Sequence, residues 1–503
     1  MAYLSSTEVY FKVVQMLPYA SLISLEKTGT PVYQQIANKL MWLIRQGMLK
    51  PGSALPSIRE LSALLKVHRK TIVAAYAELS AQDWIETIPR KGIFVSANLP
   101  EIKPRTFRQT TKPQGYAKST GFTLPTLNVP ASGSVKAGEH RLIINDGFPD
   151  ARIAPVDLLL KQYKQLNQKI LIQRRIIYGD PSGSINLRLA IAKFLRETRG
   201  LNLTENNILI TRGGQMAFYL AARLLLKPGS TVIVGEPNYL NANLLFQQCG
   251  AKLVHVPVDG NGIDVNKIEK LCKKKRPDLL YIIPHHHHPT TVTLSTQRRL
   301  HLLELIHQYN IPVIEDDYDY DFHYNSSPIL PLASADHNGN VIYIGSLTKL
   351  FASSFKLGYM IAPTEFIAKA TGLRRLIDIR GDSLMEEAFA ALFRNGHMQR
   401  HIKKSVKLYH ERRDFFFDLL ENELGDNISI SKPAGGMAFW ARFNKKLSLP
   451  QIAQRASAMG LYMSDGSFYN VNHNYNALRM GFASLTEYEM KEIAAVLKKA
   501  VMR

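Results

Sequence analysis

Apolar residues recur at helical spacing through PVYQQIANKLMWLIRQGML, from Pro31 to Leu49, and KPGSALPS then breaks the pattern with Pro51, Gly52 and Pro56. IRELSALLKV and RKTIVAAYAELSAQDWI follow as two helices separated by a tight turn near Val67 and His68. IETIPRKGIFVS closes the segment as two apolar strands around the turn Pro89-Arg90-Lys91-Gly92. The pattern predicts a winged helix-turn-helix, α with a small β wing, over residues 26–97. Pro, Thr, Ser, Gly and Lys dominate residues 98–140, which read as a flexible basic linker. From 141 to 503, apolar runs such as NILIT, STVIVGEP, LLYIIP, IPVIEDD and NVIYIGS alternate with amphipathic helices, predicting an α/β domain with a mainly parallel sheet. Residues 1–25 lack the basic start and clean apolar core of a signal peptide and read as an N-terminal extension.

Composition narrows the class. The formal net charge is +22, and residues 1–140 carry 17 Lys/Arg against 8 Asp/Glu, so both parts of the chain are basic. Such a balance points to a polyanion partner without identifying it. Two cysteines, Cys249 and Cys272, give neither a disulfide framework nor a zinc ribbon. No uninterrupted apolar span of membrane length occurs, and the expected location is cytoplasmic.

In a helix-turn-helix the second helix enters the major groove of double-stranded DNA with its first residues at the base edges. Here these are Arg69, suited to a bidentate contact with guanine, Lys70, suited to base or phosphate, and Thr71, suited to phosphate or to capping the helix. Arg59 is placed to hold the backbone, and Arg90, Lys91 and Gly92 at the wing tip to follow the adjacent groove. The stretch GMLKPGSALPSIRELSALLKVHRKTIVAAYAELSAQDWIETIPRKGIFV resembles the GntR-type winged helix along its full length. Two departures concern the operator sequence: His68 where the family usually has Ser, and Ala75 where many members have Arg.

The string IGSLTKLFASSFKLGYM places Lys349 just after a strand, beside Ser346, Thr348 and Lys356. That setting suits an imine with an aldehyde cofactor whose phosphate needs donors. Upstream, IPVIEDDYDYDFHY ends a strand in acidic and phenolic groups. Asp316, with Asp317 as the alternative, could keep a pyridine nitrogen protonated, and Tyr318 could bond the ring's 3-oxygen. LITRGGQMAFYLAARLLL is a strand, a glycine turn and a helix, so the amides of Gly214, Gln215 and Met216 would cap a phosphate. Tyr239 in EPNY offers an aromatic face for the ring. With YGDPSG, GGMAFW and LRMGFA, these strings resemble fold-type I aminotransferases across roughly residues 140–503, which implies pyridoxal 5'-phosphate (PLP) as cofactor. The resemblance also implies a homodimer, Tyr178 reaching the cofactor phosphate of the neighbouring subunit, and Arg479 holding a ligand's α-carboxylate.

PHHHHPTT, Pro284 to Thr291, lies behind the apolar end of a strand, so it is no terminal tag. Adjacent side chains on an extended segment face opposite ways, which leaves metal binding as a minority reading and no metal assigned. By resemblance the run is pocket wall, with His286 the contact to the cofactor.

A GntR-type domain, a long linker and an aminotransferase-like domain together resemble the MocR/GabR regulators. The implied function is a PLP-dependent transcriptional regulator, not an enzyme, in which an amino compound or PLP itself at Lys349 modulates operator binding. The alternative is an active aminotransferase with an appended DNA-binding domain. Lys356 keeps the charge but not the fork of a phosphate-binding arginine, and Asn241 replaces an effector-binding arginine, which argues against a ligand with a second distal carboxylate.

Overall fold

Helix Val32–Arg45 buries Ile36, Ala37, Leu40, Leu43 and Ile44 along one face, the stripe that its apolar spacing predicts. The computed structural model describes residues 17–26, 29–99, 118–124, 140–166, 179–324, 329–469 and 475–502. The chain divides into two units, residues 1–126 and 127–503. In the first, helices Ile58–Leu65 and Arg69–Ala81 follow, and Ile85–Ile88 pairs antiparallel with Gly92–Val95.

Local chemistry sets the boundaries of these helices. Ser57 opens the first with a capping box: its hydroxyl accepts from the Glu60 amide, and the Glu60 carboxylate accepts from the Ser57 amide at 2.8 Å. Lys66 ends it in the left-handed region at φ 52°, and the Ser62 hydroxyl donates to Val67 O at 2.6 Å across the turn. His68, not Thr71, caps the next helix, its Nδ1 accepting from the Lys70 amide at 3.2 Å. The residue that departs from the usual Ser therefore does the capping that Ser would do. Ala75 is fully buried. An arginine there would enter the core, so the departure at that position says nothing about the operator.

The N-terminal segment also differs from expectation. Tyr19 and Ile23, each 3 % exposed, join the core formed by Leu61, Ile72, Leu79 and Trp84. Glu26 and Gln35 exchange two hydrogen bonds at 3.0 Å, fastening the segment to helix Val32–Arg45. The part of the expected extension that is described therefore belongs to the winged-helix fold, because Tyr19 and Ile23 join that fold's core and Leu17, Leu22 and Leu25 pack against it. Residues 1–16, and most of the expected linker, lie outside the described residues.

The second unit is built on an eight-stranded sheet in the order Ile208–Thr211, Gly358–Ile361, Val341–Ser346, Val313–Asp317, Leu279–Ile282, Thr231–Glu236, Lys252–Asp259 and Gly262–Ile263. The five strands from Val341–Ser346 to Lys252–Asp259 are parallel neighbours; Gly358–Ile361 and Gly262–Ile263 run against theirs. Helices pack on the sheet and bury its β-branched runs. A second antiparallel sheet joins Ile428–Ser429, Ala438–Phe443 and Ala477–Gly481, and Leu142–Ile143 pairs in parallel with Leu461–Tyr462. Parallel sheets place ligands beyond the carboxyl ends of their strands. Here those ends are Glu236, the histidine run, Asp317 and Ser346.

Ile23→Ala should destabilise the first unit by about 2–4 kcal/mol, the cost of deleting a buried aliphatic side chain. Amide hydrogen exchange in Arg69–Ala81 would report it; unchanged exchange would mean that the segment contributes nothing to this core.

Candidate functional site

Strand Val313–Asp317 ends in three buried carboxylates, and its pleat sends them to different faces. Glu315 accepts from the amides of Leu332 and Ala333 at 2.7 and 2.8 Å. Asp317 accepts from the Tyr343 hydroxyl and faces Arg199 at 3.9 Å, in a buried network that includes the Arg199–Asp321 ion pair at 2.6 Å. Asp316 points the other way and accepts from the Tyr281 hydroxyl at 2.6 Å. Burial pushes its carboxyl up to about 7, with the Tyr281 bond opposing and Asp317 and Asp319 adding repulsion. A nearby cationic N–H would favour the charged form. Of the two candidate aspartates, Asp316 is thus placed to receive one, whereas Asp317 is already engaged.

Lys349 lies in the short helix Leu347–Leu350, directly after strand Val341–Ser346. Its Nζ donates to Gly147 O at 3.0 Å and sits 4.4 Å from the centre of the Phe148 ring. Burial pulls the ammonium down to about 8, against the attraction of Asp146. Beside it, Ser346 is half-buried and Lys356 exposed. Thr348 departs from expectation: its hydroxyl donates to Phe355 O at 2.9 Å and approaches Leu357 O at 3.3 Å, so it pins its own loop and is not offered to a phosphate. The glycine turn forms as predicted, with Gly213 at φ 79° capping helix Gly214–Leu225. A Cβ on Gly358 would lie within 3 Å of the Gly213 and Gly214 backbone, so the neighbouring strand packs directly against this helix start. A half-neutral amine, a carboxyl in need of a cation and a helix N-terminus fit an aldehyde-bearing pyridine phosphate.

Arg479 extends from strand Ala477–Gly481 and is 2 % exposed. Its Nη2 donates to the Tyr318 hydroxyl at 3.0 Å, and that hydroxyl donates to His286 O at 2.7 Å. Gly147 has φ +84°, a conformation that strains any side chain, and a Cβ there would press on Ala438 Cβ at 3.2 Å. Arg479, Asp146, Phe148, Tyr239 and His288 line one cavity of about 840 Å³. Tyr239 presents its ring there, edge-on to His288 with centroids 5.1 Å apart.

The four histidine rings have four destinations. His285 Nε2 bonds Ile329 O, His286 Nδ1 bonds Asp319 at 2.9 Å, His287 Nδ1 bonds Thr290, and His288 Nε2 bonds Asp146 at 2.8 Å. Of the four, His288 lines the cavity, whereas His286, the residue expected at the cofactor, does not. His286 has φ 45°, which turns its ring away from the cavity and against Gly435 and Gly436, where a Cβ would collide with it. Tyr178 lies outside the described residues. Asp146, on the cavity wall, and Tyr281, on Asp316, are not marked by the motifs, whereas His288 falls in the run expected to be pocket wall; the Asp146-Gly147 turn dipeptide carried a local signal.

In the first unit, Arg59, Arg69, Lys70, Arg90, Lys91 and Gly92 are exposed and Thr71 is partly exposed. Arg69 and Lys70 occupy the first turn of Arg69–Ala81, where the helix dipole adds positive potential. Arg90 at φ 64° and Gly92 at φ 126° form the wing turn.

Comparison with known proteins assigns a family to each unit. The model for aminotransferase class I and II matches residues 152–497, and that for the gntR family of bacterial regulatory proteins matches residues 32–95. The chain is 28% identical over 477 residues to an uncharacterized HTH-type transcriptional regulator, YdfD, of Bacillus subtilis, covering 94% of this chain and 98% of that one. It is 26% identical over 480 residues to a probable rhizopine catabolism regulatory protein, MocR, of Rhizobium meliloti, covering 94% of each. Among solved structures, a multiple substrate aminotransferase of Thermococcus profundus matches with TM-score 0.69 and 26% identity, over 76% of this chain and 97% of that one. The kynurenine aminotransferase of Pyrococcus horikoshii, solved with PMP, matches with TM-score 0.67 and 25% identity, over 73% and 91%. This fold implies pyridoxal phosphate.

The lowered basicity of Lys349 has a measurable sign. Its neutral amine is half-populated near pH about 8 instead of the ordinary 10.5. The rate of PLP attachment, followed by absorbance and corrected with Lys349→Ala, should reach half its maximum near that lower pH. A rise continuing to the ordinary lysine value would mean an unburied amine.

Proposed function

The chain belongs to the aminotransferase class I and II family and carries a gntR-type domain ahead of it, and from that premise we propose that it is a DNA-binding transcriptional regulator whose aminotransferase-like unit senses an amino compound. It has the architecture of MocR-like HTH-type regulators, which its relatives share over nearly the whole chain. One observation supports the reading most directly: the Lys349 amine and the buried Arg479 guanidinium both contact the turn Asp146-Gly147. An amine exchanging at one end and a carboxylate bound at the other describe an amino acid or a close analogue.

The residues that would hold PLP are Lys349 at its aldehyde carbon, Asp316 at its ring nitrogen, and the amides of Gly214, Gln215 and Met216, with Ser346 and Lys356, at its phosphate. Tyr239 would cover the ring. Bound PLP supplies a carbon that accepts primary amines and a ring that takes up electrons. Lys349, near neutrality, can give up and retake a proton at Nζ at physiological pH. Asp316 would hold negative charge against the ring nitrogen, and Tyr281 fixes that carboxylate. Arg479 orients the ligand's carboxylate, held in place by Tyr318. In the first unit, Arg69 and Lys70 read the operator while Arg59 and the wing residues Arg90, Lys91 and Gly92 hold its backbone. Ligand binding alters operator affinity to the extent that the ligand binds the two conformations differently.

Two experiments test this reading. Purified protein with PLP should show a visible absorbance band that Lys349→Ala lacks, and amino compounds that shift the band should change affinity for the protein's own promoter region. Net turnover of an amino compound with a keto acid would favour an active aminotransferase; a missing band would remove Lys349 from the account. Arg69→Ala should weaken operator binding by about 1–3 kcal/mol, the worth of a bidentate base contact, in a shift assay at fixed salt. Equal affinity would place recognition elsewhere.

A further inference from the structure

Arg479 is a buried cation, and its own chain already surrounds it. Nε donates to Asp146 O at 3.2 Å, Nη1 to Pro289 O at 3.4 Å, and Nη2 to the Tyr318 hydroxyl at 3.0 Å. These acceptors are neutral. The Asp146 carboxylate adds an ion pair without a hydrogen bond, its Oδ1 lying 3.7 Å from Nε. That carboxylate is held from the other side: Oδ2 is 2.8 Å from His288 Nε2, and Oδ1 accepts from the Tyr469 hydroxyl at 3.1 Å. Burial alone would raise the Asp146 carboxyl, but His288, Arg479 and Lys349 hold it down at about 2. Asp146 is therefore a permanent anion in the cavity wall, beside the guanidinium.

We propose that Asp146 is an internal competitor for the effector's carboxylate: held by His288 and Tyr469 beside Arg479, it must yield before a ligand carboxylate can form a bidentate pair with that guanidinium. The proposal rests on the reading of Arg479 as the carboxylate site. A guanidinium fork takes one carboxylate in bidentate fashion. A second carboxylate a few ångströms away repels the first, and although the Asp146 side chain is 44% exposed, the guanidinium they would share is buried. Binding thus requires Asp146 to withdraw from Arg479 while His288 and Tyr469 keep hold of it, or to move with its turn. The same charge shapes selectivity. A ligand with a second carboxylate would bring it into a cavity that already holds Asp146 and Glu489, whereas an apolar or aromatic side chain meets Leu142, Ile144, Leu244, Phe148, Tyr239 and Phe468. The effector class that fits is an amino compound with one carboxylate and an apolar or aromatic body.

A merely structural Asp146 predicts that its loss weakens binding; a competitor predicts a gain. The probe is 3-phenylpropanoate, which has the carboxylate and the apolar body but no amine, titrated by calorimetry into the full chain saturated with PLP. Asp146→Asn, nearly isosteric, should bind it at least tenfold tighter than wild type, and the gain should vanish in an Asp146→Asn, Arg479→Gln double variant. Melting curves check that each variant is folded. Equal or weaker binding by Asp146→Asn, no binding by either protein, or a gain that survives loss of Arg479 would each overturn the proposal. Arg479→Gln alone separates the two layers. Lost binding in that variant upholds the carboxylate site even where Asp146→Asn shows no gain, whereas wild-type affinity would place that site elsewhere and remove the reading beneath the proposal.

Discussion

Three consecutive carboxylates at the end of one buried strand are the constraint on which the second unit depends. Burying a charge is costly unless hydrogen bonds or a counter-charge compensate it. Glu315 is compensated by the amides at Leu332 and Ala333, and Asp317 by Tyr343 and Arg199. Because successive side chains on a strand alternate faces, these arrangements cannot serve Asp316. Its one phenol bond opposes a burial that raises all three carboxyls, Glu315 to about 8 and Asp316 and Asp317 to about 7. Strand alternation therefore separates the three by direction and not by electrostatic demand: Asp316 stands on the opposite face from Glu315 and Asp317.

Much of this was legible in the sequence. The Lys349 string, the strand end at Asp316, the glycine turn at Gly214 and the run LRMGFA with Arg479 occupy the places that their spacing and resemblance predict. Those positions are set by regular elements, whose side-chain directions follow from period 2 or 3.6. What could not be read was set by irregular backbone. The histidine run leaves the strand at Pro284 and turns through φ 45° at His286 and 63° at Thr291, so alternation no longer tells which ring meets the cavity. Thr348 offered a hydroxyl beside a phosphate site, but the carbonyls that claim it belong to a loop seven and nine residues on.

The first unit repeats the lesson at smaller scale. Its helices and wing follow from apolar spacing, yet its N-terminal border does not, because the apolar side chains of residues 17–26, among them Leu17, Tyr19, Leu22, Ile23 and Leu25, make their contacts across the fold. Tyr19 and Ile23 matter through where they land, in a core with Leu61 and Trp84, and local sequence does not encode that landing. His68 shows the converse. An imidazole in place of the usual hydroxyl looks like a lost cap until its Nδ1 is seen to accept from the Lys70 amide, which preserves the start of the helix that carries Arg69.

The turn from Asn145 to Phe148 ties the site to the rest of its unit. Asn145 Oδ1 accepts from the amides of Gly147 and Phe148, its Nδ2 donates to Ser484, and its carbonyl accepts from Gly481, two residues beyond Arg479. A Cβ on Gly481 would lie 2.4 Å from Asn145 Oδ1, so turn and strand are in direct backbone contact. Close-packed interiors transmit displacement instead of absorbing it. Asp146 therefore cannot be moved alone: its neighbours on one side are clamped to the strand that bears Arg479.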